Sequence, residues 1–377
     1  MSKPPAHTES LRPWIDEATG VRVTQLTSAA YIHTHIYPEA PVFTPEGRYF
    51  VYARFPSTSG LYDIEHELWL CDLQTHWLRR LSDEGAVCAP VVTPDGQAVL
   101  YIQRVSMWQF ALRRVSLETF ERETLVWVVG LRRPYDLGTV SPDGRYYVTG
   151  VWLPEGDFGL VRIDLEERTY KVIHCDAEIL NPHMQFELGK GQDILVQHNR
   201  GGKLDEEGNI IRLVGEEGAT IYLVDREGQN RRPLHIGKPH SAPTQGHQCW
   251  IGTTGRILST LGAGAEEGNL VTIAEGDEQP EIVARGVYFW HPNASRDGRY
   301  FVSDVYPSGE IMIGSLQTGR YRLLCHSGAS LGRPQYTHPH PFFSPDGRYV
   351  LFNSDRRGLP HIYCAEISEG FLEGLEA

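Results

Sequence analysis

No apolar run in the sequence approaches the roughly 20 residues that cross a bilayer as a helix. The first stretch, "MSKPPAHTESLRPW", carries no apolar core of the kind that makes a secretion signal. Cysteine is sparse and scattered: six residues (Cys71, Cys88, Cys175, Cys249, Cys325, Cys364) with no CxxC pair. Their spacing gives no support to a zinc ribbon or a thiol redox motif, and they are expected to be reduced and mostly buried. Walker loops, GxSxG, HExxH and the dinucleotide fingerprint are all missing. Positive charge is short as well: 35 Lys and Arg stand against 48 Asp and Glu, a formal net charge of −13. That balance argues against nucleic acid or an anionic membrane as partner. Together these features predict a cytoplasmic protein.

What the chain does have is repetition. "FTPEGRYFVYAR" begins at Phe43, "VTPDGQAVLYIQ" at Val92, "VSPDGRYYVTGV" at Val140, "ASRDGRYFVSDV" at Ala294 and "FSPDGRYVLFNS" at Phe343. Two worn copies, "FELGKGQDILVQ" from Phe186 and "WIGTTGRILST" from Trp250, fill the gap between them. The turn glycines (Gly47, Gly96, Gly144, Gly191, Gly255, Gly298, Gly347) are 49, 48, 47, 64, 43 and 49 residues apart. Asp-Gly and Glu-Gly suit tight turns, because glycine takes φ > 0 without steric cost. The alternating runs that follow fit half-buried strands. Further strands such as "TIYLVDREGQNRRPLHI" complete four per repeat, which at this period describes a β-propeller blade. The last repeat shows only three clear strands, ending at "PHIYCAEIS", and the fourth is expected from "ATGVRVTQLTS", Ala18 to Ser28. The fold class is thus all-β: a seven-bladed propeller forming one domain over residues 1–377, with its last blade closed by both chain ends. The 64-residue interval holds a polar insertion, "HNRGGKLDEEGNIIRLVGEEG", and long loops in compact folds are often functional.

The 16 histidines are not scattered evenly over this repeat. His340 and His291 each lie 7 residues before their turn glycine, His247 and His183 lie 8 before, and His338 lies 9 before. Four consecutive blades therefore place histidine at nearly one structural position, on the innermost strand at the channel rim, where the side chains should converge. His66, His76, His174, His235 and His326 fall outside the register and read as packed or hydrogen-bonded residues. Prolines follow His291, His338 and His340 and push each toward extended backbone. In extended chain His338 and His340 face one side, and Gln335 is near enough to add an amide oxygen. Imidazole and carbonyl ligands suit Mn²⁺, Fe²⁺, Ni²⁺ or Zn²⁺, and the absence of thiolate favours a harder ion. Trp290 and Tyr336, close to the rim, are candidates to stack on a bound ligand.

"QYTHPHPFFSPDGRYVLFNSD", taken with "DEATGVRVTQLT" near the start, resembles the oligogalacturonate lyases, seven-bladed propellers of the TolB-like group. The resemblance covers nearly the whole chain. It implies that Gln335, His338, His340 and His291 hold a divalent metal, Mn²⁺ in that family. It implies that His247, in "GHQCW", is the catalytic base. It also implies β-elimination from a short acidic oligosaccharide of uronates, giving a 4,5-unsaturated product. His183 is expected to bind substrate. The family's active-site arginine would fall at Thr220, so Arg200 or Arg212 is expected to supply its charge, with Arg200 serving catalysis and substrate binding. That departure leaves room for another uronate-containing substrate. The competing reading is a non-catalytic propeller that binds a ligand or protein and holds a structural metal; metal-dependent hydrolysis is a third.

Overall fold

A computed structural model describes residues 4–55, 66–132, 134–205, 210–262, 265, 267–332 and 334–376. Seven antiparallel sheets follow one another along the chain as blades 1 to 7. Blade 1 consists of Ile32–His35, Tyr49–Phe55, Glu67–Asp72 and Leu78–Arg80. Blades 2 and 3 run from Val87 to Val129 and from Gly138 to Asp176, and blade 4 from Gln185 to Pro233. Blade 5 runs from Thr244 to Ala284 and blade 6 from Phe289 to His326. Within each, strands pair in sequence order, and the leading strands of adjacent blades pack on one another around the axis.

Blade 7 closes the ring. Phe342–Phe343, Tyr349–Ser354 and His361–Glu366 come from the C-terminal part of the chain, and Arg22–Gln25 pairs with His361–Glu366 as the expected fourth strand. Arg12–Ile15 adds a fifth strand outside it. No periodicity in "RPWI" announces that strand, whose burial pattern is almost wholly exposed. In the long interval the insertion forms a two-stranded ribbon, Lys203–Leu204 against Ile210–Arg212, with residues 206–209 outside the described set. Among the described residues no helix is long and apolar enough to cross a membrane.

The repeat motif has a local cause. The seven turn glycines take φ between 60° and 74°. Before most of them a Ser or Thr hydroxyl accepts the N–H of the residue opening the next strand, as in Ser344 from Tyr349 at 3.0 Å and Ser141 from Tyr146 at 2.9 Å. The aspartate accepts the N–H two residues on, as Asp346 does from Arg348 at 3.1 Å. Hydroxyl and carboxylate thus satisfy backbone donors that the turn would otherwise leave open. Blade faces pack through fully buried side chains such as Val51, Val99, Val148, Ile194 and Leu351, each worth roughly 1.5–3 kcal/mol of burial. Five cysteines are buried and free, and Cys175 is exposed and free, as their scatter implied.

Ring closure carries a buried imidazole pair. His33 and His361 approach at 3.2 Å between their Nδ1 atoms. Glu9 lies 3.8 Å from His33 and accepts the backbone N–H of Ala29 at 2.7 Å. Burial, then the neighbouring His361, pushes His33 down to about 2; burial pushes His361 down to about 4. Both rings stay neutral in the fold at pH values where the unfolded chain would protonate them. Stability is therefore full above about pH 6.5 and is lost as pH falls through the window down to about 4 for His361 and lower for His33. A urea titration should give a stability about 2–4 kcal/mol lower at pH 5 than at pH 7.5 from this pair, and a His33→Gln/His361→Gln variant should show a flatter profile; an unchanged slope contradicts this.

Candidate metal centre

The innermost strands break their ladders at the repeat position that carries the histidines. In blade 5 pairing jumps from Thr244 to Gln248, leaving His247 in the gap, and in blade 6 it jumps from Phe289 to Pro292, leaving His291 there. Blades 4 and 7 pair only from Gln185 and Phe342 onward, so His183, His338 and His340 stand ahead of the ladder. His183 and His340 take φ of 41° and 45°, and Ala89 in blade 2 takes 52°. Non-glycine residues in this left-handed region cost about 1–2 kcal/mol and cluster at functional sites.

The breaks bring the side chains together. One ligand atom from each of His291, His338 and His340 lies within 4.8 Å of the others. Ring centroids are 3.9 Å apart for His291 and His340, and 5.6 Å for His338 with either. His247 adjoins at 4.2 Å from His291. His183 is one ring further out: Tyr37 stands 5.1 Å from it and 4.9 Å from His340. Gln335 sits on a short 3₁₀ turn, Gln335–Thr337, and lines a pocket together with His340. Trp290 packs tilted against His338 at 4.5 Å, while Tyr336 meets Phe55 edge-on.

Several partners of this cluster have no periodic signature in the sequence. The buried Asp304, on the second strand of blade 6, accepts from His291 Nδ1 at 2.9 Å and from the His291 backbone N–H at 2.8 Å. Its carboxyl is pushed up to about 7, chiefly by burial. Glu39 accepts from His183 Nδ1 at 2.5 Å. The His247 ring donates from Nδ1 to the Trp290 carbonyl at 3.0 Å, which leaves Nε2 unprotonated in the neutral ring. Burial, reinforced by the crowding of imidazoles, pushes His247, His291 and His340 well below the ordinary histidine range. Burial also pushes His35, beneath them, down to about 4.

Neutral imidazoles are what a metal ion requires, and the donor set fits one. His340 Nε2 and His338 Nδ1 are buried without a partner, a state that costs about 1–3 kcal/mol each unless something binds them. His291 presents Nε2 with Nδ1 fixed on a carboxylate, the usual orientation of a metal-bound histidine. The three imidazoles, with the Gln335 amide nearby, fit a divalent cation.

The arginines expected to replace the one missing at Thr220 are not brought to this cluster. Arg200 donates to the carbonyls of Gly218 at 3.0 Å, Lys238 at 2.8 Å and Glu217 at 2.8 Å. Its guanidinium clasps the base of the ribbon, with three of its five N–H donors on those carbonyls and a fourth toward the Glu217 carboxylate at 3.4 Å. Arg212 donates to Gly201 within the same ribbon at 2.9 Å, and the Thr220 hydroxyl is held by the Ile236 carbonyl. The length and polarity of the insertion suggest function, whereas its arginines hold its own backbone and the Lys238 carbonyl.

Fold and site together define a propeller of the histidine-metal type, with an oriented free imidazole beside the cluster. No protein-family model matches the chain. A curated oligogalacturonide lyase of Pectobacterium atrosepticum is 36% identical over 400 residues, covering 94% of this chain and 95% of that protein. The oligogalacturonate lyase of Dickeya dadantii is 22% identical, covering 96% and 97%. The chain belongs to the oligogalacturonate lyase family, and the lyase class expected of it follows. Among solved structures, an oligogalacturonate lyase from Vibrio parahaemolyticus superposes with a TM-score of 0.77 at 21% identity, covering 98% of this chain and all of that one. An oligogalacturonate lyase in complex with manganese superposes with 0.79 at 19% identity over 98% of this chain and all of its own. Both share the fold.

Two measurements test the centre. Mn²⁺ should bind the protein and raise its thermal midpoint, and Asp304→Asn should weaken that binding about 10–100-fold with the fold intact by circular dichroism; unchanged affinity contradicts the assignment. Arg200→Ala should lower stability in urea by about 1–3 kcal/mol and leave Mn²⁺ affinity unchanged, whereas an unchanged midpoint would dismiss the clasp.

Proposed function

We propose that the protein cleaves short oligogalacturonate-like chains by β-elimination. The observation that carries this reading is the neutral His247, its Nε2 free, packed at 4.2 Å from a three-histidine cluster in a chain of this family. His291, His338 and His340, with Gln335, would hold a divalent ion, Mn²⁺ first among the candidates. When bound, such an ion supplies Lewis-acid neutralisation of the uronate carboxylate and of the charge that develops beside it.

The residues of the chain do the rest. The His247 Nε2 takes the proton from C5; the electrons of that bond form the C4–C5 double bond as the C4–O bond breaks, the expelled oxygen takes a proton from water, and His247 gives its own back to solvent. The Trp290 carbonyl keeps His247 in the tautomer this requires. Asp304 fixes the ring of His291, and Glu39 fixes that of His183, whose Nε2 remains to bind the substrate. Neither Arg200 nor Arg212 has a part in this reading.

His247→Ala should fold, retain Mn²⁺ and lose turnover of trigalacturonate about 10²–10⁴-fold, followed as unsaturated product. Near wild-type turnover in a metal-replete variant would remove His247 from the mechanism.

A further inference from the structure

A cavity of about 100 Å³ opens beside the metal cluster, between blades 7, 1 and 2. Gln335 and His340 form one wall, His35 and His66 two others, and Ala53, Phe55 and Leu137 belong to its apolar remainder. His66, like His35, lies outside the repeat register and faces this region: it packs on Phe55 at 4.8 Å, and its Nε2 is buried without a partner. The same holds for Nδ1 of His35, which is 1% exposed.

The hydrogen bonding of His35 says what kind of group is missing. Its Nε2 contacts the Pro339 carbonyl at 3.2 Å. A carbonyl only accepts, so Nε2 carries the hydrogen of the neutral ring and Nδ1 presents a lone pair. The absent partner must donate. A hydroxyl donates and accepts, and so also satisfies His66 in either tautomer; a carboxylate can only accept. Electrostatics point the same way. The described residues lining the cavity include no lysine or arginine, and Asp136, paired with Arg104 at 2.5 Å, adds an acidic group to the wall.

We propose that this cavity is a hydroxyl subsite that receives the free vicinal diol edge of the sugar whose carboxylate lies toward the three histidines. The inference rests on the lyase reading and adds to it a selection against ring hydroxyls that carry a substituent. His35 and His66 act by binding, leaving the proton transfer to His247.

Calorimetry on Mn²⁺-loaded protein separates the two claims. Wild type should bind galacturonate at least tenfold more tightly than 2,3-di-O-methyl galacturonate. His66→Phe keeps the stacking on Phe55 but removes the ring nitrogens. It should lose about tenfold in galacturonate affinity, with Mn²⁺ content, thermal midpoint and affinity for the methylated sugar unchanged. Ala53→Val, which narrows the cavity from the blade 1 side, should give the same selective loss. Wild-type affinity for galacturonate in both variants overturns the subsite alone; a wild type that binds neither sugar overturns the lyase reading and the subsite with it.

Discussion

The site depends on an interruption of backbone pairing at one point of a repeated unit. A propeller blade narrows toward the axis, and its innermost strand must turn in from the preceding blade before it can pair. At that turn the ladder skips Trp290 and His291 in blade 6 and Gln245 to His247 in blade 5. In blades 4 and 7 it has not yet begun at His183 and His340. Side chains freed from the alternation of a strand point toward their counterparts in the next blade. Blade 2 skips in the same place, between Cys88 and Val91, and in the four consecutive blades from 4 to 7 the position carries histidine.

Bringing imidazoles so close has an electrostatic consequence. Protonated, they would repel one another, and buried, they would lack solvent; both effects hold His247, His291 and His340 in the neutral form. A neutral, dry cluster has unpaired nitrogen lone pairs and little reason to exist without a cation. Buried carboxylates set the orientation of the rings from behind: Asp304 for His291 and Glu39 for His183. The same logic extends to His35, whose hydrogen bond to the Pro339 carbonyl ties blade 1 to the segment that bears His338 and His340.

Much of this was legible in the sequence. The spacing of seven turn glycines determined the number of blades, and the missing strand of the last repeat pointed to residues 18–28 for closure. Offsets from those glycines predict that the histidines of blades 4 to 7 converge, because repetition turns sequence register into spatial register; His247, His291, His338 and His340 meet, whereas His183 stands apart behind Tyr37. What remained hidden lacks register. Asp304 and Glu39 are single acidic residues with no spacing to mark them, and Tyr37 and His66 look like ordinary strand-edge residues until neighbouring blades are in place. Arg200 shows the same limit: length and polarity mark an insertion as interesting, but only the carbonyls of Gly218, Glu217 and Lys238 reveal that its guanidinium is engaged. At Thr220, where the resemblance places the family's arginine, the structure has a hydroxyl bonded to the Ile236 carbonyl.

The central claim is that the histidine cluster holds a metal ion that the elimination requires. Ultraviolet absorbance of the unsaturated uronate, followed with oligogalacturonate before and after chelation, tests it most directly. Unsaturated product should form with the Mn²⁺-loaded protein, cease when the metal is stripped and resume when Mn²⁺ is returned. Equal rates with and without metal, or saturated products alone, would contradict the account.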